Sequence, residues 1–295
     1  MGRVILRLVY KVLEGPTLER IPSSLGRFLG DRDAYEVLAY TAKLDSLIIQ
    51  YPEGADSYRY TGPISIAGEP WRTYCRWHNG PLDRRDSPWE RLYCTVEARD
   101  YCRYHRRSAR SLYELCLSLR GPQALEACKR VDDEVSGEYS LYLSYTGKGV
   151  KVGVTRSFRL LDRLAEQPHS LATRLAVYDS LYRARRAEIA VARGGIAGET
   201  GVRKPRRPDP GAAAPALSYA AERASKLLGV EWEGELFRVK PPDGLLASPL
   251  VSPSSSLGIL EPVAYWGGLL QLSSRRGLIV LRVKDLLHRD SVVVG

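Results

Sequence analysis

Methionine occurs once and phenylalanine three times in the 295 residues, and lysine supplies only nine of the 44 basic side chains. No stretch approaches the roughly 18 uncharged apolar residues of a membrane-spanning helix, so no membrane partner is expected. No internal repeat is visible, which removes solenoids and propellers. Apolar residues at 44% and charged residues at 26% fit ordinary globular usage and argue against wholesale disorder or a fibrous repeat. The first ten residues carry Arg7 inside an apolar run and lack a small-residue cleavage site. They read as the first strand of a cytoplasmic protein rather than a secretory signal.

The scarcity of lysine leaves 35 arginines, and 44 basic against 34 acidic residues give a net charge of +10. Arginine forks onto phosphate and stacks on bases, so the excess points to an anionic partner, DNA or RNA. An arginine-rich, methionine-poor proteome would produce the same composition. Five cysteines, an odd number, read as thiols or metal ligands rather than as a disulfide framework.

Four segments follow from the patterning. Residues 1–70 are β-rich: a strand over 4–12 ended by Glu14-Gly15-Pro16, strands over 35–40 and 44–51, and a short one near Ile64. Residues 71–135 hold all five cysteines, His78, His105 and many Arg and Tyr. Helices are predicted there over 108–119, stopped by Gly121-Pro122, and over 122–131. Residues 136–208 read as a strand (139–145), a turn at Thr146-Gly-Lys-Gly, a return strand (150–155), a short helix (160–167), a strand (174–179) and a helix (181–193). A basic arm at 203–207 closes that segment. Residues 209–295 begin with a helix over 216–229 and continue, past a Pro/Ser-rich loop, with strands over 263–272 and 277–283 and at 292–294.

The third segment carries the candidate chemistry. Phosphodiester cleavage needs a base or polarising hydroxyl beside the attacking water, cations for the crowded phosphorane and a carboxylate holding a divalent metal. Tyr142, Lys151, Arg163 and Glu188 supply those types in order, with Tyr178, Tyr182, His169 and Thr155 as secondary lining groups. The plainer readings are a strand aromatic for Tyr142, solvated cations, an exposed loop His169 and a surface acid for Glu188.

Ser140-Leu-Tyr142, the hairpin and Lys151-Val-Gly153-Val-Thr155 resemble the motifs of the GIY-YIG nuclease superfamily. The resemblance implies a β-hairpin, helix, strand, helix domain in which Tyr142 ends the first motif and Gly153 the second. It further implies Arg163 as the helix arginine and Glu188 as the ligand of Mg or Mn. Ser140 stands where the first-motif glycine is expected, and Lys151 replaces the second tyrosine.

Cys75-x2-His78 and Cys102-x2-His105 are knuckle-like pairs with Cys94 between them, the way a chain presents ligands to a tetrahedral zinc. One candidate site is Cys75, His78 and Cys94 with a further ligand. Another is Cys102, His105, Cys116 and Cys128, although Cys116 and Cys128 also suit the apolar faces of helices. A Cys/His segment directly before this form of the hairpin is similar to the uncharacterised family catalogued as domain of unknown function number 2797, whose members carry an Arg and a Gln on the next helix, here Arg163 and Gln167.

The sequence therefore predicts an α+β protein with a GIY-YIG-like domain between a zinc-ribbon-like module and β-rich terminal segments. Its expected function is nucleic-acid binding with metal-dependent endonuclease or phosphodiesterase activity. A non-catalytic RNA- or ribosome-associated zinc factor is the alternative. Arg103, Arg106, Arg107, Arg110, Arg185 and Arg186 are the expected phosphate contacts, with tyrosines 101, 104 and 182 available for stacking.

Overall fold

The computed structural model describes residues 2–22, 34–67, 72–119, 121–198 and 209–295. The fold is mixed α/β with more strand than helix. Its strands are β1 (Gly2–Pro22), β2 (Ala34–Gln50), β3 (Ser57–Tyr60), β4 (Ile64–Ile66), β5 (Tyr139–Tyr145), β6 (Val150–Arg156), β7 (Leu171–Tyr178), β8 (Leu236–Lys240), β9 (Ile259–Trp266), β10 (Leu269–Ser274), β11 (Gly277–Arg282) and β12 (Val292–Val294). The α-helices are α1 (Ala109–Ser118), α2 (Pro122–Glu134), α3 (Leu160–Ala165), α4 (Leu181–Arg193) and α5 (Pro210–Leu228). None is long and apolar enough to cross a membrane.

Contacts divide the chain into two units, one built from residues 1–12, 42–112 and 241–295 and the other from 13–41 and 113–240. Neither coincides with one of the four sequence segments, because β1 and β2 each run from one unit into the other.

The first unit carries the strand order β11-β10-β9-β4-β12-β1, with β3 paired to β2. Its core gathers Val4, Leu6, Leu47, Ile49, Leu260, Leu270 and Leu281, residues far apart in sequence that alternate onto one face. The strand expected over 263–272 is a hairpin instead. Gly267 and Gly268 take φ of +62° and +76°, and Trp266 pairs with Leu269. Positive φ at two successive residues is what a tight hairpin turn demands, and glycine accepts it without a Cβ penalty.

The second unit has the order β2-β8-β7-β5-β6, with β2 and β8 parallel and the others antiparallel. Here β1 does not stop at Gly15-Pro16 as its turn chemistry suggested. A Cβ on Gly15 would lie 2.8 Å from the Ala39 carbonyl oxygen of β2, so the glycine permits close backbone approach inside a strand.

All of β5 is buried except Tyr145, because it is flanked by β6 and β7 and covered on its faces. The order hairpin, short helix, strand, helix is present over β5, β6, α3, β7 and α4. Two caps fix the later helices. The Asp209 side chain accepts the Ala212 N–H, which starts α5 six residues earlier than the sequence suggested. Asp132 of α2 accepts the backbone N–H groups of Leu181 (2.7 Å) and Tyr182 (2.9 Å) and the Ser180 hydroxyl (2.7 Å), placing a carboxylate at the N-terminus of α4. The basic arm at 203–207 lies outside the described residues.

Candidate functional site

In the second unit, β5, β6, α3 and α4 bring together the side chains that the motif order singled out. Tyr142 on β5 pairs with Gly153 on β6, and a Cβ there would fall 2.6 Å from the tyrosine hydroxyl. The glycine is the space into which the Tyr142 ring packs. The Tyr142 hydroxyl donates to Gln167 Oε1 (3.1 Å), and Lys151 Nζ, two residue pairs further along the hairpin, donates to the same oxygen (3.0 Å). Arg163 pairs with Glu166 at 3.2 Å, and its side chain is part buried, at 44% exposed.

The charges of these groups register on one another. Burial raises the Tyr142 hydroxyl, Arg163 pulls it back down and Glu188 pushes it up. Burial, then the Arg163 charge, takes Lys151 down to about 8, against an upward pull from Glu188. Arg163 itself is held up, despite burial, chiefly by Glu166. Tyr142 and Lys151 thus each feel the charges of Arg163 and Glu188, and the Gln167 side chain joins the two.

Glu188 is not a surface acid. Its carboxylate accepts from Arg185 Nη1 at 2.5 Å, and both side chains are under one tenth exposed. A second Arg185 nitrogen donates to the Leu119 carbonyl after α1 (2.9 Å). Arg185 is thereby removed from the expected phosphate contacts: four residues after Leu181, it lies on the buried face of α4 with Ala184, Glu188 and Val191. Arg186 is exposed, beside the Tyr182 ring.

His169 is buried rather than a free loop residue. Its Nδ1 lies 2.9 Å from the Gln167 carbonyl and its Nε2 accepts the Val239 N–H (3.1 Å). That assigns the proton to Nδ1 and anchors the backbone of Gln167, whose side chain joins Tyr142 to Lys151.

The second candidate centre is in the first unit. The ligand atoms of Cys75, Cys94, Cys102 and His105 all lie within 4.8 Å of one another, an arrangement that could hold a metal ion. Cys94 and Cys102 sulfurs are 3.9 Å apart, and His105 Nδ1 is 3.7 Å from Cys75 Sγ and 3.3 Å from Cys102 Sγ. A tetrahedron with metal–sulfur bonds of about 2.3 Å and metal–nitrogen bonds of about 2.0 Å has edges of roughly 3.5 to 3.8 Å, which these separations bracket. Burial raises Cys75 to about 12 and raises Cys94, so buried together without a cation these two remain thiols. The loops also provide for thiolates. Cys75, Cys94 and Cys102 each take a backbone N–H from the residue two positions on, Trp77, Val96 and Tyr104. Burial lowers His105, keeping its imidazole neutral, and Trp77 stacks on it at 4.1 Å with nearly parallel rings.

Neither of the two sites into which the sequence divided seven candidate ligands is present among the described residues. Cys116 and Cys128 form a disulfide joining α1 to α2, with Cα atoms 5.0 Å apart. Twelve residues and one helical turn-back bring the two buried thiols face to face, overriding the prior against disulfides. His78 is held by its own loop, its Nδ1 accepting the Gly80 N–H (3.1 Å) and its ring against Tyr93. Arg110 also departs from its expected role, since its guanidinium donates to the carbonyls of His78 (3.3 Å) and Gly80 (2.6 Å).

What remains exposed on the knuckle turn is Arg103, Tyr104, Arg106 and Arg107, with the Arg103 guanidinium 4.7 Å from the Tyr104 ring. Arg7 on β1 had no functional reading in the sequence. It is 2% exposed and donates to the Cys75 carbonyl (3.0 Å), the Cys94 carbonyl (2.7 Å) and Gln50 Oε1 (2.7 Å). Its signal was a cation interrupting the apolar run from Val4 to Val9. No family model, curated protein or solved structure matches the chain.

Proposed function

We propose that this is a nucleic-acid-binding protein whose second unit hydrolyses phosphodiesters at Tyr142, Lys151, Arg163 and Glu188, and whose first unit binds zinc through Cys75, Cys94, Cys102 and His105. The observation that carries the first part is Gln167 Oε1 accepting from both Tyr142 and Lys151, which sets a phenol and an ammonium side by side where the charges of Arg163 and Glu188 are felt. The element order and Gly153 beneath the Tyr142 ring support the likeness to GIY-YIG nucleases.

The raised Tyr142 remains a phenol at neutral pH and orients an attacking water as a hydrogen-bonding hydroxyl. Lys151, lowered to about 8, is mostly ammonium at pH 7 and joins Arg163 in offsetting charge that develops on the phosphorane. Above pH 8 that cation is lost, so the rate falls on the alkaline side. Mg or Mn bound by Glu188 would stabilise the leaving oxygen. A single carboxylate fits such an ion, and loading it competes with the Arg185 pair.

That ion pair also favours a second reading, in which Glu188 is structural and the domain is a scaffold for an RNA-binding zinc factor. Cleavage of labelled DNA and RNA in Mg or Mn separates the two. Lys151→Met should reduce cleavage at least ~100-fold with binding retained. Cleavage unchanged in that variant removes Lys151 from the mechanism, and no cleavage by a parent that still binds favours the scaffold.

For the metal, three sulfurs and one nitrogen in a closed set suit zinc better than oxygen-seeking Mg or Ca. Elemental analysis should find one zinc per chain, lost in Cys102→Ser.

A further inference from the structure

Arg7 is a buried cation whose hydrogen-bond partners are all neutral. Among the described residues no carboxylate lies within ion-pair distance of it, and its neighbours are the Gln50 amide, two backbone carbonyls and the face of Tyr93 at 5.3 Å. The Gln50 orientation is fixed, because its Nε2 is spent on the carbonyls of Gly54, Ala55 and Tyr93, leaving Oε1 for Arg7. A guanidinium taken out of water needs an opposite charge nearby to be tolerated.

We infer that Arg7 is the buried counter-charge of the metal centre and a positioning residue for it. Three thiolates, one neutral imidazole and a divalent ion sum to a net charge of −1, which one guanidinium cancels. The placement fits that count, since two of its three hydrogen bonds go to the carbonyls of Cys75 and Cys94, residues that carry ligands. Arg7 therefore ties β1 to both ligand loops and neutralises what they hold. Because Arg7 lies in the same strand as the core residues Val4, Leu6 and Val9, metal occupancy and the core of this unit are coupled through it. The inference rests on the metal reading and is independent of phosphodiester cleavage.

The test is the zinc affinity of the full chain, by competition against a chromophoric chelator, with cobalt absorption reporting the thiolate ligands. Arg7→Met should weaken zinc roughly 10- to 100-fold, in the range that outer contacts of a metal site command. Arg7→Lys, which keeps the charge with fewer donors, should stay within about fivefold of the parent. In a Cys94→His background the centre is neutral, and Arg7→Met should there cost about threefold or less. Affinity unchanged in Arg7→Met overturns the inference, as does an equal loss in both backgrounds, which would mark Arg7 as scaffold alone. Should Arg7→Met fail to fold, Arg7→Lys decides: a loss of tenfold or more contradicts a role through charge. A parent chain that takes up no zinc refutes the metal reading itself, which is a separate result.

Discussion

Tyr142 and Gly153 stand opposite each other in the β5/β6 hairpin, and a methyl on Gly153 would come within 2.6 Å of the tyrosine ring carbon Cζ. Backbone on both strands is hydrogen-bonded, so the ring must move if residue 153 gains a side chain. Gly153→Ala should cost about 1 to 3 kcal/mol of stability, the usual range for overpacking a filled site, and should abolish activity by displacing the hydroxyl from Gln167. Adding Tyr142→Leu should recover the urea midpoint and not the activity. A Gly153→Ala variant with parental midpoint and rate would show that the contact is not tight.

Acid sensitivity follows from His169. Burial lowers it to about 4 in the folded chain, against about 6.5 for an exposed imidazole. The unfolded chain takes up a proton below pH 6.5 and the folded chain does not until pH 4. The stabilising contribution is therefore complete above 6.5 and is lost as pH falls toward 4, at up to about 1.4 kcal/mol per unit. Urea midpoints at pH 7.5 and 5 should differ, and His169→Asn should remove part of that slope while starting from a lower midpoint. A slope unchanged in that variant would assign the acid sensitivity elsewhere, for instance to buried His288, which burial lowers in the same direction.

The disulfide gives a chemical signature. Unfolded under non-reducing conditions and without metal, the chain should alkylate at Cys75, Cys94 and Cys102 and stay protected at Cys116 and Cys128. The Cys116→Ser/Cys128→Ser variant should lose roughly 2 to 4 kcal/mol, the common worth of such a link. Alkylation of all five cysteines in protein never exposed to reductant would contradict the pairing.

Binding should separate the exposed from the engaged arginines. Arg106→Ala/Arg107→Ala should weaken binding to nucleic acid regardless of sequence and lower the salt slope by about 1 to 2. Arg110→Ala should leave the slope alone and loosen the loop of His78, whose carbonyls it holds. Equal slopes for the double variant and the parent would remove the knuckle turn from the binding surface.

Local pattern made much of this legible. The hairpin, α4 and its stop at Gly194 follow from strand alternation, turn glycines and helical spacing, all of which act within a few residues. The four metal-ligand candidates that converge were among the seven expected, because short Cys/His loops are local too. What failed depends on contacts across the chain. Cys116 and Cys128 find each other only once α1 and α2 are side by side, and Gly15 reads as a turn until Ala39 is placed beside it. Arg110 and Arg185 look like free cations in a basic sequence, and only the carbonyls of Gly80 and Leu119 show that they are engaged. Arg7 stands out in its apolar run, but its role does not, since its partners lie 43 to 87 positions away.

Tyr142→Phe is the least disruptive variant that tests whether the cluster around Tyr142 breaks phosphodiester bonds. It keeps the ring against Gly153 and removes only the hydroxyl that donates to Gln167. The measurement is cleavage of end-labelled single- and double-stranded DNA and RNA by the full chain in Mg or Mn, with binding followed in parallel. The parent should cleave at least one substrate, and Tyr142→Phe should lose roughly 100-fold or more of that rate with binding unchanged. Cleavage at the parental rate by Tyr142→Phe, or none by the parent on any of the four substrates, would contradict cleavage at this cluster.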